Sequence, residues 1–432
     1  MKPDSVTLKL FIIAVIGGAC LVASLLVFGL IEEREQRFAD VKKEIAGSWG
    51  ERQTLIGPML IFERTVAVQS PSPAVTSQTQ LQTFYLLPET LDIETELFDE
   101  VRSRGIFDTV VYTSKTKVSG AFSAKEIEKV RGTAAVGTFS VGITDTRGIE
   151  KQVELSWDKG VYSFSPGSKN TMLRSSGVHA DVPLRGDSPL IPFEFEVRLK
   201  GSEGISFSPV GKETHISVSS GWLTPKFTGA FLPSTRNVTD SYFRAEWNIS
   251  SFGQSFPHSW KDFEVDESLL SESAAGVELT DPIDIYDQLS RSIKYAVLFI
   301  LITFAAFFVF EVLAGLRIHP VQYLLIGGSL ALFYLLLLSL AEHIGFLASY
   351  ILSTAMTALL ITAYSARVLQ SRRRSYPIFA LLVVLYGYLY FVLQLEDYAL
   401  LFGSLLLFVL LATVMYLTRN VNWFEPTSKK EV

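Results

Sequence analysis

Cysteine is nearly missing from this sequence, because Cys20 is the single cysteine among 432 residues. One cysteine forms no disulfide within the chain and no cysteine-based metal cluster, so each domain must be held together by its own core. The chain has no excess of basic residues either, and its formal net charge is −6 at pH 7. Since no basic patch is large enough for nucleic acid, we predict no nucleic-acid partner.

The sequence also lacks the short motifs of common enzyme sites. It has no His-Glu-x-x-His metalloprotease motif, no Gly-x-Ser-x-Gly nucleophile turn and no phosphate-binding glycine loop. His179, His215 and His258 are scattered, and we expect surface or core histidines rather than metal ligands. We therefore predict no catalytic site, no metal site and no cofactor.

Long apolar runs are present, and they lie in two regions of a chain that is 48% hydrophobic. The runs cover residues 10–31, 293–313, 321–340, 344–364, 376–395 and 398–417. Each has about the 20 residues that a helix needs to cross the hydrocarbon core of a bilayer. The first run is longer than the apolar part of a signal peptide and is followed by charged residues, so we predict an uncleaved transmembrane helix.

These runs give the predicted domain organisation. The segments are a cytoplasmic N-terminus (1–9), transmembrane helix one (10–31), a helical stalk (32–54), a β-rich domain (55–270), a linker (271–292), a five-helix transmembrane bundle (293–417) and a cytoplasmic tail (418–432). Apolar residues at helical spacing favour a stalk that continues helix one. A short packed helix without a signalling role explains that spacing equally well. Gly47 and Gly50 are expected to end the helix.

The middle domain shows the alternation of apolar and polar residues that is typical of β-strands. The clearest example is residues 193–200, in which four apolar residues alternate with four charged ones. Residues 153–164 are expected to form a hairpin, with a three-residue turn in which Gly160 is left-handed. Ser123 has the spacing of a helix N-cap, and residues 69–83 are predicted to be a mobile loop. We predict a sandwich-like fold for this domain.

Lysine and arginine occur in alternate loops of the predicted membrane region. On one side lie Lys2, Lys9, Arg317, Arg367, Arg372, Arg373, Arg374, Arg419, Lys429 and Lys430. The other short loops carry Glu342-His343 and Glu396-Asp397 instead. The positive-inside rule therefore predicts six transmembrane α-helices, both termini in the cytoplasm and a large extracytoplasmic β-rich domain.

Several stretches resemble the CreD family of bacterial inner-membrane proteins. In the membrane region they are RSIKYA (291–296), FFVFE (307–311), IHPVQY (318–323), FYLLLLSLAEH (333–343) and EDYALL (396–401), and in the β-rich domain GP (57–58), RGIF (104–107) and FLP (231–233). The resemblance implies a Gram-negative inner-membrane protein linked to cell-envelope integrity and stress response. It implies no enzyme activity and no catalytic residues.

Charged residues at the predicted outer ends of the helices form one candidate site, which we call the outer rim. Its members are Arg291, Lys294, Glu342, His343, Glu396 and Asp397. We predict that the acidic hairpins pair with Arg291 and Lys294 and hold the stalk against the bundle, because ionisable groups at bilayer depth are costly and often functional. The alternative is that they are solvated residues that only end the helices.

A second candidate, the inner cluster, consists of Glu311, Arg317 and His319. One hypothesis makes Glu311 a proton-carrying group of a transporter. The other pairs Glu311 at the membrane interface with Arg317 or with the arginines at 372–374. His319 precedes Pro320, which suits a first helical turn, so we predict that helix three starts there.

From the residues and the resemblance together we predict a non-catalytic protein of the bacterial inner membrane. Its periplasmic β domain is expected to sense or bind an envelope component, in support of envelope integrity and stress response. The predicted partners are the lipid bilayer and an envelope component or envelope protein. The alternative is a membrane transporter or lipid-handling protein, and an enzyme ranks third.

Overall fold

A computed structural model describes residues 5–68, 78–169, 176–184, 188–261, 264–279, 285–314, 318–369, 372–395 and 398–419. The chain divides into a helical unit, residues 1–39 and 283–432, and a β-rich unit, residues 40–282. Helix α1, Ser5–Trp49, is continuous and contributes residues to both units. It therefore contains both the predicted membrane segment and most of the predicted stalk.

The β-rich unit contains strands in two sheets and two short helices. Its strands are β1 (Gln53–Val68), β2 (Gln78–Leu86), β3 (Thr90–Arg104), β4 (Phe107–Ser123), β5 (Val136–Ile143), β6 (Glu154–Trp157), β7 (Gly160–Ser163), β8 (Ser165–Pro166), β9 (Gly177–Pro183), β10 (Leu190–Ser202), β11 (Gly204–Phe207), β12 (Glu213–Ser220), β13 (Lys226–Gly229), β14 (Thr235–Val238), β15 (Phe243–Ser250), β16 (Ser259–Lys261) and β17 (Ala275–Glu278). Its helices are α2 (Ala124–Arg131) and α3 (Glu267–Glu272).

The two sheets contribute side chains to one hydrophobic core. The larger sheet has the order β13-β17-β11-β1-β5-β9-β8, with β2 paired to β1 and β16 paired to β2. The other has the order β14-β15-β12-β3-β4-β10-β6-β7. Phe139 of β5 lies 5.3 Å from Phe193 of β10 and 5.8 Å from Trp157 of β6, measured between ring centroids. Aromatic rings in such edge-to-face contacts hold the sheets together across this core.

Several local predictions for this unit are confirmed, and one is wrong. The apolar residues of 193–200 are buried within β10, and Ser123 caps α2 by accepting a hydrogen bond from the Glu126 amide. In the hairpin of β6 and β7, Trp157 pairs with Gly160, so the turn has two residues rather than three. The left-handed residue is Asp158, with φ of 49°, and not Gly160. Aspartate adopts that conformation because its short side chain can hydrogen-bond locally.

Two segments that looked irregular in sequence contain strands. Residues 78–83 of the predicted mobile loop belong to β2, which pairs with β1 along its length, while residues 69–77 lie outside the described part of the chain. In the predicted linker, β17 pairs with both β11 and β13, and Val277 is fully buried. Both strands are held by backbone hydrogen bonds, which any sequence can supply. The polar composition of β2 and the four-residue length of β17 concealed them.

The helical unit contains, after α1, the helices α4 (Ile285–Lys294), α5 (Ala296–Ala314), α6 (Pro320–Ile344), α7 (Phe346–Val368), α8 (Arg372–Gln394) and α9 (Ala399–Thr418). Among the described residues, four helices are long and apolar enough to cross a membrane: Leu8–Trp49, Pro320–Ile344, Phe346–Val368 and Ser375–Gln394. A fifth span results if α4 and α5, which meet at a 40° bend, count as one. In α9 the apolar part, Leu401–Tyr416, is shorter.

Predicted helix two starts at residue 293, whereas the structure bends between α4 and α5. Helix α4 is amphipathic, since it buries Tyr286, Leu289 and Ile293 and carries Asp287 and two basic residues. Helix α5 is apolar along most of its length. The bend therefore coincides with the change from an amphipathic to an apolar sequence.

In the β-rich unit, the C-terminal end of α1 is fixed by its last residue, Trp49. The indole ring lies 3.7 Å from the guanidinium carbon of Arg102 and 4.5 Å from the ammonium nitrogen of Lys200, both measured to the ring centroid. Its Nε1 donates a 3.1 Å hydrogen bond to the carbonyl oxygen of Tyr112. Cations above an indole face are attracted by its quadrupole. We call these four residues the Trp49 anchor.

Asp145 and Arg147 support the same end of α1. Arg147 donates to the Gly47 carbonyl oxygen at 3.2 Å and forms two 2.9 Å bonds to the Asp145 carboxylate. The hydrogen bonds from Arg147 hold the pKa of Asp145 below its usual value. A cation at a helix C-terminus also offsets the negative end of the helix dipole.

Candidate functional site

A buried carboxylate near the end of α5 is the centre of the candidate site in the helical unit. Glu311 is 8% exposed and forms an ion pair with Lys9 of α1. Its carboxylate also accepts hydrogen bonds from the Ile318 amide and the Tyr323 hydroxyl, both at 3.2 Å. We call Lys9, Glu311, Ile318 and Tyr323 the Glu311 site. A charge this deeply placed in membrane-type sequence indicates a structural or functional role.

The start of α6 positions two of the groups that contact Glu311. His319 caps the helix, because its side chain accepts from the Val321 amide while Gln322 bonds back to the His319 amide, and Pro320 occupies the first turn. The prediction that this helix starts at His319-Pro320 is therefore confirmed. The capped turn leaves the Ile318 amide free to donate to Glu311.

The structure gives Glu311 a partner that the sequence did not indicate. Arg317 lies outside the described residues, and the side chains of residues 372–374 are not described. Lys9, which served only to predict the orientation, is the cation that meets Glu311. The sequence contained one indication of this pair. Lys9 is the lysine that borders the first apolar run, and Glu311 is the single acidic residue within α5.

The outer rim is partly described, and Glu342 is its best-defined member. The Glu342 side chain is 8% exposed, accepts a 3.1 Å hydrogen bond from the Tyr286 hydroxyl and lies 3.8 Å from Nε of Arg34. His343 contacts the Ser339 carbonyl oxygen of its own helix at 3.0 Å. Arg34 and Tyr286 were missed by sequence reasoning, since both precede the predicted bundle.

The remaining outer-rim residues leave the predicted pairing untested. Lys294 is exposed at the end of α4, and Arg291 lies one turn earlier on the same helix. Glu396 and Asp397 lie outside the described residues. The pairing of the acidic hairpins with Arg291 and Lys294 stays a prediction.

Lys9 and Arg34 contact other helices of the unit at two positions along α1. The 25 positions between them correspond to about 37 Å of helix at about 1.5 Å per residue. That is slightly more than the roughly 30 Å hydrocarbon core of a bilayer. The two polar contacts therefore lie near the two ends of the apolar part of α1.

Between these contacts, α1 and α6 approach closely at Cys20 and Gly327. A Cβ atom on Gly327 would lie 2.4 Å from Sγ of Cys20 and 2.8 Å from Cζ of Phe304. By contrast, a Cβ on Gly328 would have no neighbour within 4 Å. Small residues at helix contacts allow this close approach in membrane proteins.

We therefore expect Gly327→Ala to destabilise the helical unit by about 1–3 kcal/mol, the usual cost of overpacking. Thermal unfolding of the purified protein in detergent measures the change. Gly328→Ala is the matched control and should be neutral or slightly stabilising. Cys20→Ala should restore part of the stability when it is combined with Gly327→Ala, because the contact with Phe304 remains. No restoration would show that the Cys20 contact is not a cause.

Comparison with known proteins agrees with these features of the helical unit. The family model for inner membrane protein CreD matches residues 5–424. The inner membrane protein CreD of Escherichia coli (strain K12) is 32% identical over 420 residues, which cover 94% of this chain and 90% of that protein. The chain belongs to the CreD family. It is thus an inner membrane protein with several apolar helices and a large β-rich domain.

One solved structure that this CreD-family protein matches carries no argument about its fold or activity. The M1 zinc metallopeptidase of Deinococcus radiodurans matches 44% of this chain and 41% of that chain, with 8% identity and a TM-score of 0.22. That score is too low to indicate a common fold. Among the residues that the structure describes, no group of three His, Cys, Asp or Glu side chains is placed to hold a metal ion.

The three histidines of the β-rich domain are separate from one another in this CreD-family protein. His179 contacts the Gly167 carbonyl oxygen, and Nδ1 of His215 lies 2.8 Å from Oδ1 of Asn248. His258 has no hydrogen-bond partner for its buried Nδ1 among the described residues. Burial, reinforced by Lys212, lowers the pKa of His258 from 6.5 to about 4.

The low pKa of His258 predicts that the β-rich domain loses stability in mild acid. The folded domain resists a proton that the unfolded chain binds below pH 6.5, so stability is full above pH 6.5 and falls as the pH approaches 4. We expect a loss of about 2 kcal/mol, reduced for the partial exposure of the ring. Unfolding of the full-length protein at pH 7.5 and 4.5 measures it. His258→Phe should remove this part of the pH dependence, and an unchanged difference would contradict the assignment.

Proposed function

We propose that this CreD-family protein is a non-catalytic component of envelope integrity and stress response, whose periplasmic β domain senses or binds an envelope component. The observation that carries the proposal is the continuity of α1, a 45-residue helix shared by both units. In the β-rich unit it is fixed by the Trp49 anchor, and in the helical unit it is held through Lys9 and Arg34. A binding event in the β domain that moves α1 would therefore alter contacts in the helical unit.

The proposed topology has six membrane crossings, including α9, with both termini in the cytoplasm. Two contacts within the helical unit support it. Lys9 meets Glu311 near the end of α5, and Arg34 meets Glu342 at the end of α6. The contact of Lys9 near the start of α1 with the end of α5 supports a common side for these two ends, which is the arrangement that the positive-inside rule predicts. The packing of Phe139 against Phe193 and Trp157 supports a sandwich-like β domain.

A transporter is the second candidate, and the buried Glu311 carboxylate is the observation that favours it. Three donors contact this carboxylate, from Lys9, Ile318 and Tyr323. Because these donors occupy both carboxylate oxygens, the contacts favour a structural ion pair over a proton-carrying group. Proton-linked flux in proteoliposomes that is lost in Glu311→Gln would support transport.

A helix break at the border of the two units tests the proposed function. Ala39 is exposed on α1, so its replacement removes no packing. Ala39→Pro interrupts the helix, because proline removes one backbone hydrogen bond and clashes with the preceding turn. Ala39→Ser is the matched control. Each variant is expressed as the full-length protein in a deletion strain, and membrane insertion is measured alongside.

We expect Ala39→Pro to insert with a protease-resistant β domain but to fail to restore tolerance of envelope stress. Ala39→Ser should restore tolerance as well as the wild type. If Ala39→Pro restores tolerance fully, the continuity of α1 is not needed and the proposed coupling is wrong. If both variants fail although they insert normally, the site itself is sensitive and a break elsewhere, such as Lys43→Pro, decides the question.

A further inference from the structure

The β-rich unit has a groove between the edge strands of its two sheets. Strand β13 ends one sheet and β14 ends the other, and the chain passes from one to the other through residues 230–234. The groove has a volume of about 790 Å³, and its lining includes Phe227 of β13 with Arg236 and Val238 of β14. This volume lies within the usual range of roughly 300–1,000 Å³ for binding pockets.

Exposed apolar side chains line this groove. Leu223, Leu232 and Val238 are 52%, 73% and 46% exposed. Beneath them, the ring of Phe227 packs on the core, with centroids 6.0 Å from Phe243 and 5.9 Å from Trp247. Single exposed apolar residues are common on proteins, but a contiguous set in a concave surface marks an interaction site.

Strand β14 offers hydrogen-bonding groups beside the apolar lining. It pairs with β15 on one side, and all four of its residues are exposed. The free side of an edge strand presents unpaired N–H and C=O groups that an extended chain can join. Among the described residues Arg236 has no ion-pair partner, whereas Arg244 pairs with Glu246 and Lys226 with Glu278. The groove therefore combines apolar lining, free backbone groups and one uncompensated positive charge.

We propose that this groove binds an extended polypeptide segment of an envelope protein, which adds as a strand to β14. Apolar side chains of the segment contact Leu232 and Val238, and a carboxylate of the segment pairs with Arg236. This is the pattern of β-strand addition, in which backbone bonds give affinity and side-chain contacts give specificity. The inference rests on the proposed function, since it names the class of envelope component that the β domain takes.

The backbone of β14 favours a peptide over the other occupants of an apolar groove. A lipid acyl chain with a phosphate group would use the apolar lining and Arg236, but it carries no regular row of donors and acceptors and cannot form a ladder with the N–H and C=O groups of β14. A second copy of this chain would have to present its own edge strand to this groove, so a symmetric dimer would bury the same surface on both copies. Both occupants give distinct results in the test below.

The probe is a fluorescein-labelled octapeptide in which valine alternates with aspartate and threonine. Its binding to the full-length protein in nanodiscs is measured by fluorescence polarisation. Leu232→Asp and Val238→Asp should each weaken binding about tenfold or more, as central contacts of an interface do. Val161→Asp is the matched control, because Val161 is exposed on β7 at the opposite edge of the same sheet as β14. It should change the affinity less than about twofold.

Two further measurements separate backbone pairing from simple apolar contact. An octapeptide N-methylated at alternate residues keeps its side chains but cannot complete the ladder, and it should bind about tenfold more weakly. Arg236→Glu should reverse the preference from the aspartate peptide to its lysine counterpart. Weaker binding of the methylated peptide and a reversed preference in Arg236→Glu, with the affinity of Val161→Asp unchanged, support the proposal.

Several results would overturn it. Three concern the peptide: the probe shows no saturable binding, the methylated peptide binds as tightly as the unmethylated one, or Val161→Asp weakens binding as much as the groove variants do. Two concern the other occupants: phosphatidylglycerol vesicles displace the probe, or the protein dimerises with rising concentration and Leu232→Asp abolishes the dimer. The groove variants are also tested for stress tolerance in the deletion strain. Groove variants that lose the peptide but keep tolerance refute the role of the groove in the proposed function, whereas Ala39→Pro tests that function independently.

Discussion

Glu311→Gln is expected to destabilise the helical unit by about 3 kcal/mol, which lies at the low end of the cost of breaking a buried ion pair. Glutamine keeps an oxygen at the Oε1 position for the Ile318 amide, but it places an NH2 group where Oε2 accepts from the Tyr323 hydroxyl, and it leaves the Lys9 ammonium without its counter-charge. Lys9 is 17% exposed, so its aliphatic stem can partly redirect the charge to water, which limits the loss. Thermal unfolding in detergent measures the effect.

A double variant distinguishes an ion pair from a general loss of packing at this site. Lys9→Met leaves Glu311 as the uncompensated charge and should be destabilising as well. Lys9→Met combined with Glu311→Gln makes the pair neutral and keeps the acceptor, so it should recover most of the stability. His343→Ala, on an exposed residue of the same unit, should have little effect. A double variant as unstable as the sum of the single variants would contradict a charge pair.

The Glu311 site shows why sequence reasoning found Glu311 but not its partners. Glu311 and the neighbouring His319 were recognised because charge and capping residues stand out within apolar sequence, whereas Ile318 and Tyr323 were not singled out. Lys9 lies 302 positions from Glu311 along the chain, and only the packing of α1 against α5 and α6 brings the two together. Such pairs are set by tertiary structure, for which a single sequence carries no local signal.

The helices and the strands differ in how far the sequence predicted them. The runs at 321–340, 344–364 and 376–395 lie within about four residues of α6, α7 and α8, because the bilayer fixes both the length and the composition of a crossing helix. In the β-rich unit, the alternation in β10 was visible, but the parallel pairing of β1 with β11 and of β12 with β3 was not. Parallel pairing joins distant segments and leaves no turn signal.

The two glycines near the end of α1 also show what a single sequence cannot predict, which is the residue at which a helix ends. Both Gly47 and Gly50 were expected to end the helix, and the sequence offered no way to rank them. In the structure α1 continues through Gly47, and Gly50 follows its last residue, Trp49. The Gly50 amide still donates to the Ala46 carbonyl oxygen at 2.8 Å, while its φ is 155°. Only Gly50 therefore has a conformation and a position that demand glycine.

Gly50→Ala is accordingly expected to lower the free energy of unfolding of the β-rich unit by more than about 3 kcal/mol. A φ of 155° lies in a region that residues with a side chain rarely adopt, and such a conformation costs roughly 1–3 kcal/mol. The added Cβ would also lie 2.5 Å from the carbonyl oxygen of Lys200, a backbone atom of β10 that cannot turn away as a side chain can. Relief of this clash requires a shift of α1 from β10, which would weaken the Trp49 anchor.

The matched control is Gly47→Ala, because Gly47 lies inside the helix and a Cβ atom on it would have no neighbour within 4 Å. That change should stabilise the protein by about 0.5–1 kcal/mol, as alanine does in helices. Tryptophan fluorescence of the full-length protein during thermal unfolding compares the two variants, since five of its six tryptophans, Trp49 included, lie in the β-rich unit. Equal stability of Gly47→Ala and Gly50→Ala would mean that α1 is not fixed to β10 at Gly50. A large difference would mean that one backbone contact sets the end of α1, the helix that contributes residues to both units.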